Sequence, residues 1–160
     1  MKPIYTGLFL GDQNHDLFRE LAENVWKGLM DNLYLHHMTI KFRPSPGDVE
    51  AVPIGGYIPV KLVGYTNNSG RAQAFTVMPT RQMAWVGSLV RPHITVATEP
   101  GVPPKDSHEA IKEGVSLFSD DENEELLECP YMDEVVHKWH YLRCGWYDGK
   151  NVHYNKDELW

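Results

Sequence analysis

The sequence predicts an α+β fold in which two pseudo-symmetric lobes carry antiparallel sheets that line a central cleft, with helices outside. Three observations point to it. The string histidine, apolar residue, threonine, apolar residue occurs twice, as His37-Met38-Thr39-Ile40 and as His93-Ile94-Thr95-Val96, 56 residues apart. Each copy sits in a strand-like, apolar-alternating run, and strand, helix and histidine strand occur in each half, which reads as weak internal symmetry. With 160 residues and 18.4 kDa, the chain is the size of one ordinary domain spanning 1–160, and no linker is required.

The elements follow in order. Ile4 to Leu10 reads as a strand stopped by Gly11-Asp12, and Asp12 or Asn14 can cap a helix from about His15 to Met30, where Leu17, Phe18, Leu21, Val25 and Leu29 recur at helical spacing. The first histidine strand runs from Leu33 to Phe42 and ends at Arg43-Pro44-Ser45-Pro46-Gly47. Tyr57 to Tyr65 and Ala72 to Met78 read as two strands joined by a turn-prone stretch, Thr66 to Arg71. Met83 to Leu89 opens the second half, and the second histidine strand runs from His93 to Thr98, ended by Glu99-Pro100-Gly101. A helix capped by Asp106 or Ser107 follows, with Ala110, Ile111 and Val115 as its apolar positions. The tail from Val135 to Tyr154, with Asp148-Gly149-Lys150 as a turn, reads as a terminal hairpin.

Composition narrows the function. A formal charge of −7 and a pI near 5.5 oppose a long nucleic-acid partner, which needs a basic stripe to release counterions, and favour a small or short phosphorylated ligand. Part of that charge is concentrated in Asp120 to Glu125, a solvated loop or helix start. No apolar run approaches membrane-spanning length and the N-terminus does not read as a signal peptide, so no membrane partner and a cytoplasmic location are expected. Cys129, His137, His140 and Cys144 are four potential zinc ligands, but their spacing lacks the tight pairs of structural zinc sites, and two inert thiols with no metal is the preferred reading.

The repeated string carries the chemistry. In an extended strand His37 and Thr39 project to one face while Met38, Ile40 and Phe42 point into a core, and His93 and Thr95 do the same around Ile94. With thirteen Ser or Thr and eight His in the chain, one His-x-Ser/Thr arises by chance roughly once or a little less. Two copies in the two most strand-like runs, with the spacing absent at the other six histidines, exceed that. Side by side, they place two acid/base groups and two hydroxyl donors around one pocket, which suits in-line attack at phosphorus. Only His37 of the doublet His36-His37 has Thr two residues on, so strand alternation puts His36 on the Met38 face, as a core or lobe-interface residue. Lys41 and Arg91 share the faces of His37 and His93 if the strands stay regular. Tyr5, Trp85, Trp139 and Trp146 are aromatics able to stack a base at the cleft mouth.

With these two strings the sequence resembles the 2H phosphoesterase superfamily. The stretch Arg91 to Ser107 is similar to the second motif of the cyclic phosphodiesterase domain of fungal and plant-type tRNA ligases, whereas the small size is similar to stand-alone viral and phage members, some of which destroy the cyclic nucleotide messengers of anti-phage immunity. The resemblance implies a hydrolase of cyclic nucleotide phosphodiesters needing neither metal nor cofactor. His37 and His93 would be the acid/base pair and Thr39 and Thr95 the phosphate binders; Arg91, Lys41, Tyr5 and Trp146 are further candidate ligand contacts from their strand positions and side-chain chemistry alone. A viral source, as in the stand-alone members, would make the expected cytoplasm the host's. Its substrate would be a 2′,3′-cyclic phosphate at an RNA end or a cyclic oligonucleotide signal. The alternative is a module that sequesters a nucleotide in the same cleft without cutting it.

Overall fold

Alternating buried and exposed side chains gather the chain into one antiparallel sheet, seen in a computed structural model that describes residues 1–67, 71–78, 92–118, 135–136 and 138–160. Its strands are β1 (Tyr5–Phe9), β2 (Asn32–Leu33), β3 (His37–Phe42), β4 (Tyr57–Thr66), β5 (Ala72–Met78), β6 (His93–Thr98), β7 (Val115–Leu117), β8 (His140–Tyr147) and β9 (Val152–His153). The helices among the described residues are α1 (Asp12–Trp26), α2 (Pro46–Glu50) and α3 (Ser107–Glu113), the last entered through a 3-10 turn over Pro104–Asp106. The segment 83–89, the acidic run 120–125 and residues Trp85, Arg91, Cys129 and His137 lie outside the described residues.

The pairings run β4–β5–β6–β3–β1–β8 and return from β8 to β4, so six strands close into a ring. Short β7, β9 and β2 extend its edges. Closure leaves few unpaired backbone groups at the edges of these strands. Core residues Leu8, Met38, Val60, Leu62, Phe75, Ile94 and Leu142 are buried, and α1 adds Phe18, Leu21, Ala22 and Trp26 to the same cluster. Trp26 lies 5.2 Å from the Phe75 ring, and its indole N–H donates to the Thr66 carbonyl at 2.8 Å. Replacing the fully buried Phe75 by alanine is expected to cost about 3–5 kcal/mol through lost transfer energy and a residual cavity. Urea denaturation of the variant beside the wild type measures it.

Two elements end earlier than their sequence suggests. Helix α1 stops at Trp26 because Lys27 (φ 57°) and Gly28 (φ 143°) turn the chain away, and Gln73 pins the turn by accepting from Met30 N–H and donating to the Gly28 carbonyl. The strand expected from Leu33 to Phe42 is two pieces, because Leu35 adopts φ 44°. Tyr34 and Leu35 still donate to the Val96 and Thr95 carbonyls at 2.8 and 3.0 Å, so this break follows β6 and sets where β3 begins. No described helix is long and apolar enough to cross a membrane.

Candidate active site

Register builds the site. Strands β3 and β6 are antiparallel with Met38 opposite Ile94, the middle residue of each string facing the middle residue of the other. Strand alternation about that pair puts His37 and Thr39 of β3, and His93 and Thr95 of β6, on the face away from the core. Around the Met38–Ile94 pair the two histidines stand diagonal to each other, and the charge of His93 is felt at His37. Diagonal neighbours of an antiparallel pair lie roughly 7–8 Å apart at the backbone, so the imidazoles can flank one tetrahedral phosphate. Met38 and Ile94 are fully buried on the opposite face and lock this register, since a slip by one residue would bury histidine and expose core.

Neighbouring strands hold the His37 ring. Tyr5 stacks on it with centroids 4.4 Å apart, and Tyr147 stacks on Tyr5 at 5.1 Å. Nδ1 of His37 lies 3.3 Å from the Tyr5 hydroxyl and 3.1 Å from Nδ1 of His36, while Nε2 lies 3.0 Å from Thr39 Oγ1. Both neutral tautomers satisfy these contacts: either Nδ1–H donates to Tyr5 and His36 while Nε2 accepts from the Thr39 hydroxyl, or Nδ1 accepts from the Tyr5 hydroxyl and His36 Nδ1–H while Nε2–H donates to Thr39. Gly7, opposite Thr39, leaves the room this needs, because a Cβ there would stand 2.9 Å from the Met38 carbonyl and 3.6 Å from the His37 ring.

On the other string, Thr95 Oγ1 is 2.8 Å from Oγ of the buried Ser107 and 3.5 Å from the Pro104 carbonyl. His93 meets His108 of α3 edge-to-face at 4.8 Å. Ser107 and His108 therefore bring α3 against the second string as β1 brings Tyr5 against the first. Neither Ser107 nor His108 stands out in the sequence as more than part of a helix start.

Burial, then the charges of His36 and His93, push the His37 imidazole down to about 4, so it is neutral at pH 7. Burial and His15 lower His36 as well, and burial and Tyr147 raise the Tyr5 phenol, which keeps its proton. As pH falls below the ordinary value of 6.5, an unfolded imidazole takes up a proton that folded His37 refuses until about 4. Stability is therefore present at neutral pH and lost on acidification through this window, by about 3 kcal/mol for His37 alone. Urea midpoints at pH 7 and pH 4 are expected to differ accordingly, and His37→Asn should flatten the difference.

Several expected positions are placed differently. His36 is exposed rather than core, because the left-handed turn at Leu35 breaks the alternation before β3 starts; its ring packs edge-on against Phe9 and contacts His37. Trp146 is fully buried, stacked on His153 at 4.1 Å with its N–H donated to the Asn155 carbonyl, on the face opposite Gly145 and Tyr147, so it presents nothing to a ligand. Lys41 leaves the His37 face because the register shifts between Thr6 and Gly7, setting Lys41 opposite buried Thr6, and its charge acts on Asp48 of α2 instead. Tyr5 touches His37 directly and holds its ring. Trp139 is half exposed beneath the Lys61 ammonium. His140 is a core histidine bonded to the Val135 carbonyl at 2.7 Å, and burial pushes the Cys144 thiol up to about 12. Comparison with protein-family models and with curated proteins returns no match.

Proposed function

We propose that the protein is a phosphodiesterase acting on cyclic nucleotide phosphodiesters, with His37 as general base and His93 as general acid. The observation that carries the reading is the register of β3 and β6, which sets the two His-x-Thr strings head to tail on one face. The strand triples β8-β1-β3 and β4-β5-β6 are then the two lobes, and the β3/β6 junction is the floor of the cleft. The two-lobed reading accords with the resemblance to 2H phosphoesterases.

His37 is neutral at pH 7, and in the tautomer that donates Nδ1–H to Tyr5 and His36 it offers its Nε2 lone pair, the form a base requires. It takes the proton of the attacking oxygen as that oxygen bonds to phosphorus. The leaving ribose oxygen departs from the opposite side and takes a proton from Nε2–H of His93. For a 2′,3′-cyclic phosphate the nucleophile is water and the product a phosphomonoester. For a cyclic oligonucleotide it is the adjacent 2′-hydroxyl, and the product is a linear chain ending in a cyclic phosphate. Thr39 and Thr95 donate to the non-bridging oxygens as their charge grows. Both proton transfers and the charge stabilisation come from side chains, so neither metal nor cofactor has a step to perform, and the cytoplasm is where such nucleotides are met.

The test is incubation in excess chelator with 2′,3′-cyclic mononucleotides, a cyclic-phosphate-ended RNA, and cyclic di- and trinucleotides, with products read by mass. Cleavage of one class is expected. Tight binding without product from any of them would make the protein a nucleotide-sequestering module instead.

A further inference from the structure

The cross-strand register that aligns His37 does not stop at β1. Phe9 lies opposite His37, Arg143 of β8 opposite Phe9, and Tyr57 of β4 opposite Arg143, so His37, Phe9, Arg143 and Tyr57 form one row on one face of the sheet. Beyond Phe9 this row opens into a groove of about 190 Å³, lined by Phe9, Asn14, Tyr57, Tyr141, Arg143 and Tyr154 among others. That volume takes one planar ring system rather than a drug-sized ligand.

The groove is built, not merely left open. Arg143 donates its Nε–H to the Gly55 carbonyl at 3.2 Å, and its guanidinium carbon stands 4.3 Å from the Tyr154 ring centroid and 5.5 Å from that of Tyr57. Fixed by one edge and two rings, it keeps its NηH2 groups for an acceptor, and among the described residues no carboxylate pairs with it. Tyr154 reaches this place because the tail crosses the sheet at Gly145, where a Cβ would stand 2.6 Å from the His153 carbonyl and 2.9 Å from the Tyr154 ring. Tyr57 and Tyr141 are 63% and 60% exposed, an unusual cost for two large rings side by side unless something stacks on them. Asn14 accepts from Gly11 N–H, which leaves its NδH2 as a donor at the groove wall.

The geometry points to a second nucleotide subsite for the nucleotide next to the scissile phosphodiester: the groove takes its base among Tyr57, Tyr141 and Tyr154, and the Arg143 guanidinium takes its phosphate at the groove's edge. Arg143 is two strands from His37, about 10 Å across the sheet, a distance that one nucleoside and its adjoining phosphate bridge. Aromatic faces with one guanidinium are the chemistry that holds single-stranded nucleotides without strong base preference. This inference rests on the proposed cleavage at His37 and His93 and selects within it: the substrate has at least two nucleotides.

The experiment compares kcat/KM for a 2′,3′-cyclic mononucleotide, a dinucleotide ending in a 2′,3′-cyclic phosphate and a cyclic dinucleotide, in wild type, Tyr57→Ala and Arg143→Gln. One of the two-nucleotide ligands is expected to exceed the mononucleotide by roughly ten- to hundredfold, and both variants to lose that advantage while retaining the mononucleotide rate. Which two-nucleotide ligand benefits separates an RNA end from a cyclic signal. Equal rates on one and two nucleotides, or variants that slow the mononucleotide just as much, would overturn the subsite. If no ligand is cleaved, the catalytic reading fails by itself, and equilibrium binding of the two dinucleotides decides: loss in Tyr57→Ala and Arg143→Gln but not in His37→Ala upholds the subsite, and unchanged binding overturns it.

Discussion

Alanine at His37 or at His93 is expected to lower kcat by roughly 10²- to 10⁴-fold, the scale of a lost general acid or base. Each removal deletes a different proton transfer, so the double variant should fall little further than the worse single one, as groups that act in one step are not additive. The two single variants also differ in a way that assigns their roles. A substrate with a much better leaving group than ribose oxygen no longer needs protonation on departure, so it should restore turnover in His93→Ala and not in His37→Ala. Restoration in His37→Ala instead would exchange the two roles. His36→Ala, which removes one of two partners of His37 Nδ1, should cost far less and mainly shift the pH dependence.

Valine at Thr39 or Thr95 is expected to lower kcat by roughly 10²-fold with a smaller change in KM, because a preorganised donor to a developing oxyanion acts in the transition state. Valine keeps the shape of the side chain and removes the hydroxyl. The two positions differ in support. Thr39 Oγ1 lies 3.0 Å from His37 Nε2 in the resting site; in the base-competent tautomer its proton is given to that nitrogen and must turn to phosphate when the nucleophile arrives. Thr95 can accept from Ser107 at 2.8 Å, and its own proton is engaged by the Pro104 carbonyl only at 3.5 Å, so it is released easily. Ser107→Ala should therefore reduce kcat by about tenfold, as a positioning residue would, while leaving Thr95 present. A Ser107→Ala enzyme with unchanged kcat and a raised KM would show that this bond serves packing alone.

The residues that could be read from sequence were those whose meaning is carried by local period. Strand alternation places His37, Thr39, His93 and Thr95 opposite Met38 and Ile94, and the burial of Met38 and Ile94 is the complement of that pattern. The terminal hairpin follows its turn chemistry, and strand β5 takes the bounds Ala72–Met78 that its apolar run suggests, although it is buried on both faces rather than alternating. The misplacements arise where one residue breaks the period. Leu35 in the left-handed region detaches His36 from the strand, and the register shift at Thr6/Gly7 carries Lys41 off the histidine face. Trp146 departs from its expected place because an aromatic on a strand can serve either face, and only the tail folding back to accept from its indole N–H decides which.

Tyr57, Arg143 and Tyr154 could not be associated with His37 from sequence by any spacing. They come from strands β4 and β8 and from the tail, and only the closure of β8 onto β4 puts them in one row with it. The signal that existed was indirect: Gly145 between Cys144 and Trp146, in a run otherwise of large side chains, marks a place where another segment approaches the backbone closely.

The pH dependence of kcat/KM bears most directly on the claim that His37 and His93 work as a base and an acid. Because His37 in the free enzyme holds no proton until about pH 4, the profile should be bell-shaped, with a plateau through mildly acidic pH and an acidic limb near 4. The residual activity of His37→Ala should lack that limb, and that of His93→Ala should keep it while losing the basic one. A profile without an acidic limb, or one whose limb persists unchanged in His37→Ala, would contradict the account.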